Sequence, residues 1–321
     1  MSAERRRQTR VREETFHCCA CFYTDNIFLE DYHMHVRFQD EQQFRRDYEG
    51  ILRRRGCRSE EHFKSILSKD SFLAPELLEL VRFCTSKEAD LEGMLNQIQS
   101  IADKRIYRFP VFSDEFCRLF IEEMEHFEQS ELPKGRPNSM NNYGVLLNEL
   151  GFDEWFIAPL REKYLQPVTS ILYPDCGGKY LDSHKAFVVK YSLSEDLDLS
   201  SHYDNAEITI NVSLGKEFAE GNLYFGDMRQ VPANERSYVE IEHVVGQGLL
   251  HRGEHIHGAL PITSGERWNL IVWMRSAAVR NQLCPMCNKT PQLVETLGYG
   301  DGFTQTRTLP SSETVDVCAL I

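Results

Sequence analysis

The sequence predicts an α+β protein in which a sandwich or barrel of β-strands is flanked by helices, most of them ahead of it in the chain. Three observations lead there. Apolar residues recur at steps of three and four through the first half. From about residue 185 the apolar spacing changes to two, with glycine-rich turns between short runs. Strands and helices do not alternate along the chain, so a parallel βαβ sheet is not expected.

The elements follow in order. Residues 41–101 read as helical: Phe44, Tyr48, Ile51 and Leu52 share one face, as do Leu91, Met94, Leu95 and Ile98 behind a capping Asp90. The next helix begins after Ser113, with Phe116, Phe120, Met124 and Phe127 as a core-packing stripe. Residues 130–144 break the pattern with two prolines, two glycines and three asparagines, the composition of a binding loop or lid. A helical stretch from Asp153 to Tyr173 contains Pro159 and Pro167, which demand bends or breaks. Strands are expected at Ala186–Tyr191, Ile208–Leu214, Leu223–Phe225, Tyr238–Val245 and Trp268–Met274. The chain then divides into an N-terminal tail with a cysteine-rich segment (1–40), a helical region (41–105), helices and a lid loop (106–183), the core (184–278) and a cysteine-containing tail (279–321).

Bulk properties exclude several classes. The formal net charge of -13 argues against a nucleic-acid partner, and the basic cluster Arg5, Arg6, Arg7, Arg10 and Arg12 reads as a solvated tail. No apolar run reaches the length of a membrane span, and the N-terminus has no secretory signal. Ten cysteines without an export signal favour buried thiols or metal ligands in an intracellular protein, cytoplasmic or nuclear.

The chemistry concentrates late. His202 and Asp204 form a His-x-Asp pair just before the Ile208–Leu214 run, and His257 has Arg267 ten residues beyond it. Two imidazoles and one carboxylate occupy one face of an iron ion and leave three positions for a bidentate oxo-acid and dioxygen. Arg267 suits the far carboxylate of that acid, being permanently charged and forked. His251 and His255 compete with His257, but only His257 has a basic residue at that spacing; the other two are expected at the rim or behind the ligands, and His243, His184 and His126 are expected to be structural. Thr209, Asn211 and Ser213 alternate with the isoleucines and would line a polar interior. Arg267 shares its strand face with Asn269, Ile271 and Trp273, and Tyr191 could offer its hydroxyl to the same carboxylate.

The run from FVVKY through HYDNAEITINVSLG to HGALPITSGERWNLIVW resembles the prolyl/lysyl-hydroxylase type of iron- and 2-oxoglutarate-dependent dioxygenase. The segments CCACF, MNNYGVLLNELG, YPDCGG, EHVVGQG, NQLCPMC and VDVCAL resemble one group within that type over most of the chain. The resemblance implies a double-stranded β-helix, or jelly roll. It implies His202, Asp204 and His257 as Fe(II) ligands, Arg267 as the 2-oxoglutarate anchor, and ascorbate to keep the iron ferrous. It further implies hydroxylation of a protein or peptide side chain, with succinate and carbon dioxide released. A glycine pair common in the type stands here as Gly221-Asn222.

Cys18-x-x-Cys21 and Cys284-x-x-Cys287 could together close a Zn–S4 site, although more than 250 residues separate them. The terminal Cys-Ala-Leu-Ile has the outline of a prenylation box without a supporting basic run. Three other functions compete. A nucleic-acid demethylase would want a second arginine six residues past the anchor, where Trp273 stands. A jelly roll used only for binding would have no need of an intact ligand set. A zinc hydrolase would leave Arg267 idle.

Overall fold

The computed structural model describes residues 72–130 and 134–296, with short segments at 10–13, 26–29, 34–37, 42 and 303–306. Strands β1 (Arg10–Glu13), β2 (Asn26–Leu29) and β3 (Met34–Arg37) pair as a small antiparallel sheet, where the sequence reading places a tail. The helical face expected at Phe44–Leu52 lies outside the described residues.

The helices ahead of the core form where the apolar stripes and caps require. Helix α1 spans Pro75–Cys84, and α2 spans Leu91–Leu95. The Asp90 side chain accepts from Gly93 N at 2.7 Å, and such a cap stabilises by about 1 kcal/mol. Helix α3 (Asp114–Gln129) is capped by Ser113 and buries Phe116, Phe120, Met124 and Phe127. The stretch after Asp153 resolves its prolines by changing its winding. Residues Asp153–Ile157 and Leu160–Leu165 are wide π turns on either side of Pro159. Pro167 falls at the start of α4 (Gln166–Leu172), where the winding passes from π to α.

One difference from the sequence reading lies at the end of the expected helical region and just past it. Strands β4 (Gln99–Ile101) and β5 (Ile106–Pro110) pair with each other, and β5 extends the main sheet along β13 (Gln247–Arg252). They were too short to carry a clear period of two.

The core is a jelly roll. Its larger sheet runs β4-β5-β13-β9-β15-β7-β6, with β6 at Gly144–Leu146, β7 at Ser183–Ser192, β9 at Ile208–Gly215 and β15 at Ile262–Arg275; β10 (Phe218–Glu220) pairs with β15. The smaller sheet runs β12-β11-β14-β8, with β8 at Leu199–His202, β11 at Leu223–Met228, β12 at Val239–Ile241 and β14 at His255–Ala259. From β7 onward the chain crosses from one sheet to the other, β11 and β12 forming a hairpin in the smaller one. Every pairing within these two sheets is antiparallel.

Alternation along β9 and β15 sorts the two faces of the larger sheet. Ile208, Ile210, Val212, Leu214, Trp268, Leu270, Val272 and Met274 pack against the helices in one large cluster. Burying each aliphatic side chain among them contributes about 1.5–3 kcal/mol, so a one-residue slip of either strand is strongly opposed. Thr209, Asn211, Arg267, Asn269, Ile271 and Trp273 point the other way, into the space between the sheets.

The C-terminal region is less tail-like than expected. Helix α5 (Ala277–Arg280) buries Arg280, which pairs with buried Glu207 at 3.2 Å, and its guanidinium sits 5.6 Å over the ring of buried Phe303. Strands β16 (Val294–Thr296) and β17 (Thr304–Thr306) pair in parallel beyond it. The terminal Cys-Ala-Leu-Ile lies outside the described residues.

Candidate metal centre and oxo-acid pocket

A cavity lies between the sheets, and His202, Asp204, His257 and Arg267 all line it. His202 ends β8 and pairs in register with His257 of β14, their ring centroids 4.3 Å apart. Asp204 follows β8, held by its amide on Gly253 O at 2.8 Å. One ligating atom from each of the three lies within 4.8 Å of the others, and no other group of this kind occurs among the described residues.

Local hydrogen bonds prepare each donor. His202 Nδ1 lies 2.9 Å from Ser200 O, and His257 Nδ1 lies 2.9 Å from His255 O. A carbonyl only accepts, so each Nδ1 carries the proton and each Nε2 presents a lone pair. Both Nε2 atoms sit 3.7 Å from an Asp204 oxygen, too far for a hydrogen bond and suited to a cation between them. Thr209 Oγ1 donates to Asp204 Oδ2 at 2.7 Å and steadies the carboxylate. Burial first, and neighbouring His257 second, push the His202 imidazole down to about 4, leaving it neutral and able to bind a metal. His257 is clamped between Phe225, stacked at 5.2 Å, and His251, edge-on at 4.8 Å. The residues present therefore fit a divalent transition metal.

The other end of the cavity fits a carboxylate. Arg267 is 0 % exposed. Its Nη1 donates to Gly221 O, its guanidinium carbon lies 3.9 Å over the Tyr191 ring, and its Nε and Nη2 find no hydrogen-bond partner among the described residues. Two unmet donors on a buried cation are costly unless a ligand meets them, and the paired oxygens of a carboxylate match that fork. Gly221 has φ +69°, and a Cβ there would lie 2.5 Å from Ile262 Cγ2 and 3.1 Å from Arg267 Nη1. The Gly221-Asn222 turn is thus where the chain presents a carbonyl to the arginine.

The sequence-predicted residues meet here. Of the two places expected for His251 and His255, the rim or behind the ligands, both take the second: both are buried, His251 lines the cavity against His257, and His255 falls outside the ligand group. His243 does more than pack. It approaches Asn269 (Nδ1 to Nδ2, 3.4 Å) and is pushed down to about 3, by burial and then by Arg267. Tyr191, Thr209 and Asn211 all line the cavity, although Thr209 spends its hydroxyl proton on Asp204. Sequence reasoning missed Asn138 and Asn141, which enter the cavity from the 130–144 loop; three asparagines in one loop were the available signal. Cys284 is buried, while Cys18 and Cys21 lie outside the described residues.

A jelly roll that gathers two imidazoles and a carboxylate at one end of a cavity, with a buried arginine at the other, has the layout expected of an oxo-acid-dependent oxygenase. Comparison with known proteins narrows the class. The family described as OGFOD2-like domain matches residues 59–178. The 2-oxoglutarate and iron-dependent oxygenase domain-containing protein 2 of Xenopus tropicalis is 57 % identical over 94 % of this chain and 97 % of its own. The Homo sapiens protein of that name is 52 % identical over 94 % and 96 %. Human procollagen-lysine,2-oxoglutarate 5-dioxygenase 1 is 32 % identical over 51 % of this chain and 23 % of its own. The chain belongs to the 2-oxoglutarate and iron-dependent oxygenase domain-containing protein 2 family.

Proposed function

We propose that the protein is an active Fe(II)- and 2-oxoglutarate-dependent dioxygenase that hydroxylates a protein or peptide side chain. One observation carries the reading: Arg267, a buried guanidinium with two unmet donors, shares one cavity with the His202, Asp204 and His257 set. A bare metal site would have no use for it, and a vestigial site has no reason to keep a costly unpaired cation.

His202 Nε2, His257 Nε2 and an Asp204 oxygen would hold the iron. Iron(II), when bound, supplies the dioxygen chemistry that splits 2-oxoglutarate to succinate and carbon dioxide and oxidises the substrate. Ser200 O and His255 O keep the imidazoles turned inward, and Thr209 keeps the carboxylate from rotating. Arg267 and Tyr191 would receive the far carboxylate, with Asn211 lining the wall between. Phe187, Val189 and Ile271 supply apolar walls that exclude water. A side chain rather than a base is favoured by the acidic net charge of -13 and by the lysine-directed name of the procollagen relative. Ascorbate would serve as the reductant that keeps iron ferrous.

Purified protein given Fe(II), 2-oxoglutarate and ascorbate should release succinate slowly without substrate, and Asp204→Ala protein should not. Peptide libraries incubated with the wild type should gain one oxygen by mass. Absence of both succinate and cosubstrate binding in iron-loaded wild type overturns the reading.

A further inference from the structure

The loop ahead of β6 reaches the carboxylate end of the cavity through hydrogen bonds whose direction can be read. They begin at two backbone amides, which only donate. Met140 N and Asn141 N both give their protons to Asn138 Oδ1, at 2.8 and 2.7 Å. That fixes the Asn138 amide, so its Nδ2 is the atom 2.9 Å from the Asn141 side chain. The Asn141 atom facing it must accept and is Oδ1. Asn141 Nδ2 is then the atom 2.9 Å from the Tyr191 hydroxyl, and it donates to that oxygen. A phenol has one proton to give. With its oxygen accepting from Asn141, that proton is left for another partner, and none is found among the described residues. Asn141 and Tyr191 are both buried, both line the cavity, and Arg267 lies over the Tyr191 ring.

We propose that Asn141, oriented by Asn138, is a positioning residue for the cosubstrate: it aims the Tyr191 hydroxyl proton at the carboxylate that Arg267 receives. The proposal rests on the oxo-acid reading above. Had Asn141 presented its oxygen, the phenol would have donated to the loop instead. The backbone amides of Met140 and Asn141 forbid that arrangement two links away. The loop is thereby tied to occupancy of the pocket, because a carboxylate accepting from Tyr191 strengthens the same chain from its far end.

The test is a double-mutant cycle read by anaerobic calorimetry of 2-oxoglutarate into Fe(II)-loaded protein. Asn141→Leu should weaken binding by about two- to tenfold, the size of one neutral hydrogen bond. In a Tyr191→Phe background the same change should matter by less than about twofold. Asn141→Asp should bind worse than Asn141→Leu, because it would take the phenol proton and set a negative charge beside the carboxylate. Amide exchange in residues 134–144 should slow on adding 2-oxoglutarate to the wild type and not to Tyr191→Phe. Equal losses from Asn141→Leu in both backgrounds, or wild-type affinity in Asn141→Asp, would overturn the positioning role while leaving the oxo-acid reading intact. Failure of the wild type itself to bind 2-oxoglutarate would sink both, and so separates the two failures.

Discussion

His202 and His257 stand directly opposite each other across the β8–β14 pairing, although 55 positions separate them in sequence (257 minus 202). Strand register, not loop geometry, brings the two imidazoles together. A ladder that also positions Phe225 beside His257 leaves little freedom for either ring.

Loss of any one donor should therefore empty the site. His202→Ala, Asp204→Ala and His257→Ala should each abolish stoichiometric Fe(II) binding in metal analysis, since two remaining ligands hold a labile ion poorly. His255→Ala should retain it, because His255 lies outside the ligand group. Full iron content in Asp204→Ala would refute the assignment.

How much of this was legible beforehand follows from the physics of each element. The meeting of His202, Asp204, His257 and Arg267 in one cavity was readable because metal and carboxylate chemistry demand particular residue types at fixed strand positions. β9 and β15 were readable because one face meets helices and the other a polar cavity. β14, His255–Ala259, was not: all five residues are buried, so no alternation survives, and glycine and alanine are poor strand formers. The role of Asn141 was hidden for another reason. It depends on which way two amides face, and sequence carries no record of that.

Thr209→Val keeps the shape of the side chain and removes the proton that Asp204 receives. Metal affinity should fall about 10- to 100-fold, the usual cost of losing a group that orients a ligand. Competition with a chelator of known strength would measure it. An unchanged affinity would mean Asp204 is held by its backbone alone.

Gly221→Ala should cost both stability and cosubstrate. The positive φ strains any side chain, and the new methyl would press on Ile262 and Arg267. A loss of about 1–3 kcal/mol is expected from urea unfolding, with weaker 2-oxoglutarate binding. Wild-type behaviour in both would show that the turn can relax.

Acid should weaken the metal-free protein through His243. Burial and then Arg267 hold its imidazole down to about 3, against about 6.5 for an unhindered histidine. The unfolded chain takes up a proton as pH drops below about 6.5, and the folded one does not. Its contribution to stability is thus fully present above that pH and is lost as pH falls toward 3. The slope is on the order of 1 kcal/mol per pH unit for this one group. Unfolding curves between pH 7.5 and 5 should show the decline, and His243→Gln should make it shallower by this one group's share, since burial holds His202, His251 and His255 below the ordinary imidazole range as well. Identical slopes in the two proteins would mean that His243 takes up its proton without unfolding.

Arg267→Met separates binding from folding most sharply. Methionine fills much of the same space without charge, so the apo protein loses a buried cation whose Nε and Nη2 were unmet. Replacing such a charge by an apolar side chain is commonly neutral or stabilising by about 1–4 kcal/mol. The thermal midpoint without ligand should therefore hold or rise. Affinity for 2-oxoglutarate should fall in the same protein by at least about tenfold to a hundredfold, because charge-assisted bonds contribute roughly 1.5–3 kcal/mol. Arg267→Lys should fall between, keeping the charge and losing the fork. Tyr191→Phe should cost less, about 1 kcal/mol for one neutral donor. Iron content should not change in any of them. A variant that lost stability and kept its affinity would make Arg267 a packing residue, and the case for an oxo-acid in this cavity would go with it.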